Sequence, residues 1–281
     1  MVQKVLSMSQ QLLIGEALKY AAHNVPDREA FIDGNHRITY RELLTRSLHL
    51  AGWLQAQGVG IDDKVGCLLK NGLPFVELYF GVSLSGGVFV PVNFRLASKE
   101  MEYILNQSDV KILFVEEEFI DSVRSIIQNL SQVKIIVPIK AENLEFEINT
   151  IPYEAIFSTT TEYKSVNLTD DDAHAIIYTS GTTGKPKGAV LTHKNFYMNA
   201  MNKLYHSQPR KGSRQLIIPP LFHVAALSSL LQNCLIEGTI IIHREFQPDV
   251  VLKTVQDEKI ETMFMVPAMW NFLFQVPNIS D

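Results

Sequence analysis

The stretch Tyr178–Gly188, reading YTSGTTGKPKG, restricts this chain more than any other part of it. It sets Thr179, Ser180, Thr182 and Thr183 among Gly181, Gly184 and Gly188, with Lys185 and Lys187 close behind. Apolar runs lead in (Ala175–Tyr178) and out (Ala189–Leu191). Pro186 blocks a helix, so the stretch is expected as an exposed turn between two strands. Glycines let a backbone approach a ligand without side-chain obstruction. Hydroxyls and ammonium groups suit phosphate oxygens. The pattern is not the common P-loop, because Gly184-Lys185 is followed by Pro186 and Thr179 stands where that motif begins with glycine. A plain Gly/Thr-rich surface hairpin has the same composition, so composition alone leaves both readings open.

Around this stretch, apolar strands alternate with amphipathic helices. A helix over 10–23 ends before Pro26-Asp27, and short strands at Ala30–Asp33 and Arg37–Thr39 flank the hairpin signal Asp33-Gly34-Asn35. Thr39 and Glu42 form a capping box for a helix ending near Gly58. Strands are expected at Val65–Leu69, Val88–Val92, Ile112–Val115 and Lys134–Val137. Helices are expected at Pro74–Leu84, from a Ser98 cap through Leu105, and around 118–130. A polar segment from Ala141 to Asp172 precedes the strand His174–Tyr178. Beyond the glycine-rich stretch come a helix opened by Thr192 and the strand Leu216–Ile218, then a helix through Leu227 and Leu231 and the strand Thr239–His243. A helix over 248–257, the strand Thr262–Val266 and a helix from Pro267 complete the series. This alternation predicts an α/β fold of layered, largely parallel sheets with helices. The polar segment gives approximate halves at 10–165 and 170–281, or else it is a long surface excursion within one domain.

A net charge of −5 provides no general basic field, so nucleic acid is not an expected partner. Arg210, Lys211 and Arg214, beside Pro209 and Gly212, read as a solvated turn. Cys67 and Cys234 sit far apart in apolar surroundings and are expected as free thiols of a reducing compartment. The N-terminus has no basic flank with a long apolar core, which argues against a signal peptide. Pro219, Pro220, His223, Gln232, Asn233 and Glu237 interrupt the most apolar region, Leu216–Ile242. It falls short of the roughly 20 mainly apolar residues a membrane span needs. A cytoplasmic protein is the expectation.

Tyr178–Gly188 resembles the signature of the adenylate-forming (AMP-binding) ligase superfamily, and the chain looks like an acyl-CoA synthetase. Gly86–Leu105, GGVFVPVNFRLASKEMEYIL, resembles a second block of that family and is read as shaping the fold without touching ligand. Pro220–Leu227, PLFHVAAL, resembles a third, in which an aromatic and a His line the acyl pocket. The resemblance implies that a carboxylate attacks the α-phosphate of ATP and releases pyrophosphate, after which the thiol of coenzyme A displaces AMP. The substrate, a small-molecule carboxylic acid, is expected to be a fatty acid. Thr179 would offer its hydroxyl near Mg²⁺, while Ser180, Gly181, Thr182, Thr183 and Gly184 would wrap the β- and γ-phosphates. Lys187 would supply fixed positive charge and Lys185 would be solvated. His223 would stand at the pocket wall in a steric and hydrogen-bonding role, with Ala225 and Ala226 leaving space for the acyl group. His193 would help orient the turn, and His174 and His206 would be structural.

In that family the adenine, ribose and acidic Mg²⁺ contacts, the hinge and a C-terminal lysine follow the point where this sequence stops. The resemblance therefore implies that residues 10–281 are the N-terminal portion of the large domain, without the lid domain. Such a piece is expected to be inactive alone, with an exposed sheet edge that makes a homo-oligomer possible. Alternatives are an aryl or succinylbenzoate-type CoA ligase, a carrier-protein adenylation enzyme, or a non-catalytic nucleotide-binding or interaction module.

Overall fold

The computed structural model describes residues 12–141, 146–179 and 185–277, and its strands form two largely parallel sheets. The first contains β1 (Glu29–Asp33), β2 (His36–Thr39), β10 (Arg214–Ile217), β11 (Thr239–Ile242) and β12 (Thr262–Phe264), in the order β12-β10-β11-β1-β2. The second contains β3 (Lys64–Leu68), β4 (Val88–Pro91), β5 (Val110–Glu116), β6 (Ile135–Ile139), β7 (Asn149–Thr150), β8 (Ala173–Thr179) and β9 (Lys187–Thr192). Its order is β7-β6-β5-β3-β4-β8-β9. The two antiparallel pairings are β1–β2, a hairpin turning at Gly34 (φ +59), and β8–β9. Sheet membership crosses the approximate halves: β1 pairs with β11, while β8 and β9 join the sheet built by 64–150.

Local chemistry sets the helix ends. Thr39 Oγ1 accepts from Glu42 N–H at 3.2 Å and Glu42 Oε2 accepts from Thr39 N–H at 2.7 Å, opening α1 of the hairpin's far side, Tyr40–Ala56. Such a cap is worth about 1 kcal/mol. The helix Leu73–Ser85 (α2) starts with Pro74 and stops at left-handed Gly86, and is buried all round from Phe75 onward. It belongs to one apolar core that includes Phe31 and Ile240 of the first sheet and Val65 and Phe89 of the second. Its Glu77, fully buried, meets Arg46 and the Tyr153 hydroxyl, which satisfies a carboxylate that would otherwise be costly there. The helix Ser98–Gln107 (α3) corrects one expectation: Ala97, not Ser98, is its N-cap residue, and Glu100 Oε2 accepts from Ala97 N–H at 3.0 Å. The stretch around 118–130 is broken into the short helix Ile120–Arg124 (α4) and flanking single turns. Arg210, Lys211 and Arg214 pair with Glu261, Glu237, Glu29 and Glu258. Cys67 and Cys234 are buried free thiols. No helix among the described residues is long and apolar enough to cross a membrane.

The base of the β8–β9 hairpin is fixed by two histidines. His193 opens the helix His193–Ser207 (α5), its N–H donating to Asp172 O at 3.2 Å, and its Nδ1 accepts from Ile14 N–H at 3.3 Å. That bond caps the helix Ile14–Asn24 (α6) through the imidazole in its neutral form. His174, 5.0 Å away centre to centre, is fully buried with neither nitrogen partnered among the described residues. Burial, opposed by Asp172 and Asp170, lowers the His193 pKa from 6.5 to about 4, and burial holds His174 well below its ordinary value. The unfolded chain therefore binds these protons first, so stability is full above pH 6.5 and declines as pH falls toward 4. Urea midpoints measured across that window should show the decline, and His174→Leu should lessen it while leaving the part due to His193. A midpoint independent of pH would contradict burial of the pair in neutral form.

Candidate functional site

At the hairpin neck Tyr178 stands opposite Gly188 and Thr179 opposite Lys187. Thr179 and Lys187 are both exposed, so a hydroxyl and an ammonium-bearing side chain face solvent at the entrance to the turn. Ser180, Gly181, Thr182, Thr183 and Gly184 lie outside the described residues. Lys185 departs from Lys187: its Nζ lies 5.5 Å from the ring centre of Tyr103 on α3. Gly188 serves packing as well as turning. A Cβ there would lie 2.8 Å from Ile176 Cγ2 and 2.9 Å from Tyr178 Cζ, so the missing side chain is what lets the Tyr178 ring rest on β9.

A cavity of about 290 Å³ opens beside this neck. Tyr178, Thr179 and Pro186 form one wall, Phe222 and His223 another. The third comes from the end of β4 (Pro91), the connection after it (Asn93 and Leu96) and α3 (Glu100 and Ile104). The block Gly86–Leu105, read as purely structural, therefore lines the same cavity as the other two blocks. The cavity lies past the carboxyl ends of β4 and β8, where open α/β sheets hold their ligands.

His223 is placed by its neighbours. It is the N-cap residue of the helix Val224–Leu235 (α7), its carbonyl accepting from Leu227 N–H at 2.9 Å. Phe222 beneath it is buried, 4.3 Å from the imidazole centre, and meets Phe94 edge-on at 5.2 Å. The turn before it is pinned by buried Asn71, whose Oδ1 accepts from Leu221 N–H at 2.8 Å while its Nδ2 donates to the carbonyls of Ile218, Pro219 and His243. Partial burial, then the nearby Arg95 charge, keeps the His223 imidazole below its usual range, so at neutral pH it is an uncharged donor and acceptor.

The donor set bears on a divalent cation. Mg²⁺ takes oxygen ligands and is commonly held by one or two carboxylates together with substrate phosphates. Glu100 lines the cavity but already accepts from Ala97 N–H. Among the described residues no group of three His, Cys, Asp or Glu side chains could hold a metal. A hydroxyl at Thr179 fits a cation carried mainly by phosphate oxygens.

Of the residues expected from the sequence, Thr179 and His223 line one cavity and Lys187 faces Thr179 across the neck. Asn71 and Arg95 went unnoticed. Arg95 lies within the block read as structural. Asn71-Gly72 carries only a turn signal, because the partners that matter are about 150 residues away.

A family model described as AMP-binding enzyme matches residues 18–281. Feruloyl-CoA synthase of Amycolatopsis sp is 32% identical over 253 residues, covering 90% of this chain and 48% of that protein. Long-chain-fatty-acid–CoA ligase FadD13 of Mycobacterium tuberculosis is 30% identical over 273 residues, covering 95% of this chain and 52% of that protein. The inhibitor-bound crystal structure of the N-terminal domain of FACL13 from Mycobacterium tuberculosis matches with a TM-score of 0.87 at 29% identity, covering 96% of this chain and 66% of that one. The chain spans about half the length of the curated relatives it matches.

The neck geometry makes a direct prediction. Gly188→Ala should destabilise the protein by about 1–3 kcal/mol, because the new methyl overpacks Ile176 and the Tyr178 ring. Urea denaturation measures this, and an unchanged midpoint would mean that the ring does not rest on the glycine.

Proposed function

We infer that this chain, which belongs to the AMP-binding enzyme family over residues 18–281, supplies the triphosphate-holding and acid-facing walls of an enzyme that joins a carboxylic acid to coenzyme A through an acyl adenylate. The observation that carries this reading is the single cavity bordered by Thr179 at the hairpin neck and by His223. It sets the Thr179 hydroxyl beside an uncharged imidazole, whereas Ala225 and Ala226, expected to leave space for the acyl group, are not among the lining residues. The relatives above are named for a fatty and an aryl acid, and the proposal covers both.

The reaction needs no nucleophile from the protein, since the substrate carboxylate itself attacks the α-phosphate. The chain's contribution is position and charge. Lys187, exposed and opposite Thr179, would meet the β- and γ-phosphates held by Ser180–Gly184. Thr179 would offer its hydroxyl to a phosphate-bound Mg²⁺, whose chemistry is to neutralise charge on the triphosphate. A neutral His223 would donate a hydrogen bond to the acid without repelling or trapping it as a second ion. The proposal extends to the 281 residues by themselves: they bind ATP weakly if at all, with contacts mainly to the triphosphate, and they do not turn over efficiently.

Two measurements test this. Lys187→Ala should weaken binding of magnesium pyrophosphate by about tenfold, the scale of a charge-assisted hydrogen bond, while Lys185→Ala should change it little. Equal losses would remove the distinction between a ligating and a solvated lysine. ATP–pyrophosphate exchange with a panel of fatty and aryl acids tests the reaction class in the protein that carries this chain. Exchange that depends on the acid is expected. Nucleotide binding without it would leave a non-catalytic nucleotide-binding module.

A further inference from the structure

Lys203, on α5, is half-buried and turned inward. Its Nζ donates to Ala225 O at 2.9 Å and to Ser228 Oγ at 2.6 Å, and lies 5.8 Å from the ring centre of Phe264 on β12. Among the described residues no Asp or Glu pairs with it; burial, with no charged neighbour, lowers its pKa below the ordinary lysine value. A long lysine side chain normally extends its ammonium into water. Holding it inward on two uncharged acceptors leaves a cation without a counter-ion, which costs free energy unless an anion completes the site. An ammonium has three donors, and two are engaged here.

The position is informative. Ala225 is two residues beyond His223, so the ammonium sits beside the first turn of α7, the same turn that carries the imidazole of the candidate site. Lys203 also lines a groove of about 380 Å³ between α5, α7 and β12. That groove mixes polar Asn202, Ser229 and Gln232 with apolar Met263 and Phe264. The groove and the His223 cavity share no lining residue. An acid with its reacting carboxylate at His223 would have to extend past the first turn of α7 to reach this face.

We propose that Lys203 reads a second, remote anionic group on the acid, so that the preferred substrate is a dicarboxylate or similarly substituted acid rather than one with a plain alkyl tail. This rests on the reading of the cavity as an acid-activating site. The test uses calorimetry on the 281-residue chain with suberate and its monomethyl ester, which differ in one charge. Wild type should bind the dicarboxylate about tenfold more tightly. Lys203→Met should abolish the preference and leave ester binding unchanged, while Lys203→Arg should retain it. In wild type the Lys203 Nζ resonance should shift with the dicarboxylate and not with the ester, a readout that needs no variant. Equal affinity for the two probes, no binding of either, or a preference that survives Lys203→Met would overturn the proposal. Failure of the underlying reading appears separately, as loss of magnesium pyrophosphate binding or of acid-dependent exchange.

Discussion

One buried amide holds the site together. Asn71 follows β3 of the second sheet, yet its side chain bonds the backbone after β10 and β11 of the first, at Ile218, Pro219, Leu221 and His243. The amide oxygen accepts one hydrogen bond and the two N–H hydrogens are shared among three carbonyls, which satisfies both ends of the amide and ties the carboxyl ends of strands from two sheets. The next residue, Gly72, lets Asp33 and Arg244 approach, because a Cβ there would lie 3.2 Å from Asp33 Oδ2 and 3.5 Å from Arg244 Nη1. The cavity wall that carries His223 is anchored at this junction, through the Pro219-Pro220 turn that precedes the Phe222–Phe94 contact and the His223 imidazole. A backbone polar group buried there without a partner would cost about 1–3 kcal/mol, so the junction is held by necessity as well as by fit.

Charge is divided between the two walls. The hairpin neck presents exposed Lys187 and a hydroxyl, while the opposite wall presents a neutral imidazole with Arg95 beside it, which suits the proposed triphosphate and acid respectively. An anionic triphosphate and an anionic acid repel each other, and cations around them reduce the cost of bringing them together. Glu100 is the one carboxylate residue among the described lining residues, and it is engaged by Ala97 N–H. By contrast, the cleft of about 440 Å³ beyond β1 and β11 sets Asp33, Glu245, Asp257 and Glu258 against Arg244 and His243, a lining with more acidic than basic groups and so less suited to phosphate despite its greater size.

Much of the fold was legible because it is encoded locally. The Thr39–Glu42 box, the Thr192 cap and the apolar runs on either side of the glycine-rich stretch each fix an element from within a few residues. Strand order was not legible, since β1 pairs with β11 about two hundred residues later and nothing local records it. Ser98 failed as a cap because Glu100 reaches Ala97 N–H, moving the helix start by one residue. Motifs single out Thr179, Lys187 and His223, and the fold brings Thr179 and His223 to one cavity with Lys187 across the neck. Asn71 could not be read this way, because its role exists only once two sheets meet. Gly188 was read as backbone freedom near a ligand, whereas its packing role depends on the cross-strand Tyr178 ring.

The proposed reaction requires that the blocks around Thr179 and His223 line one site, so that a triphosphate bound at Thr179 lies close to the acid-facing His223. Paramagnetic broadening by Mn²⁺–ATP tests it directly, because the effect falls steeply with distance from the metal. The Thr179 methyl and the His223 ring protons should broaden together at low occupancy, with the His243 ring unaffected. Broadening centred on His243 and Asp33, or of Thr179 without His223, would contradict the account.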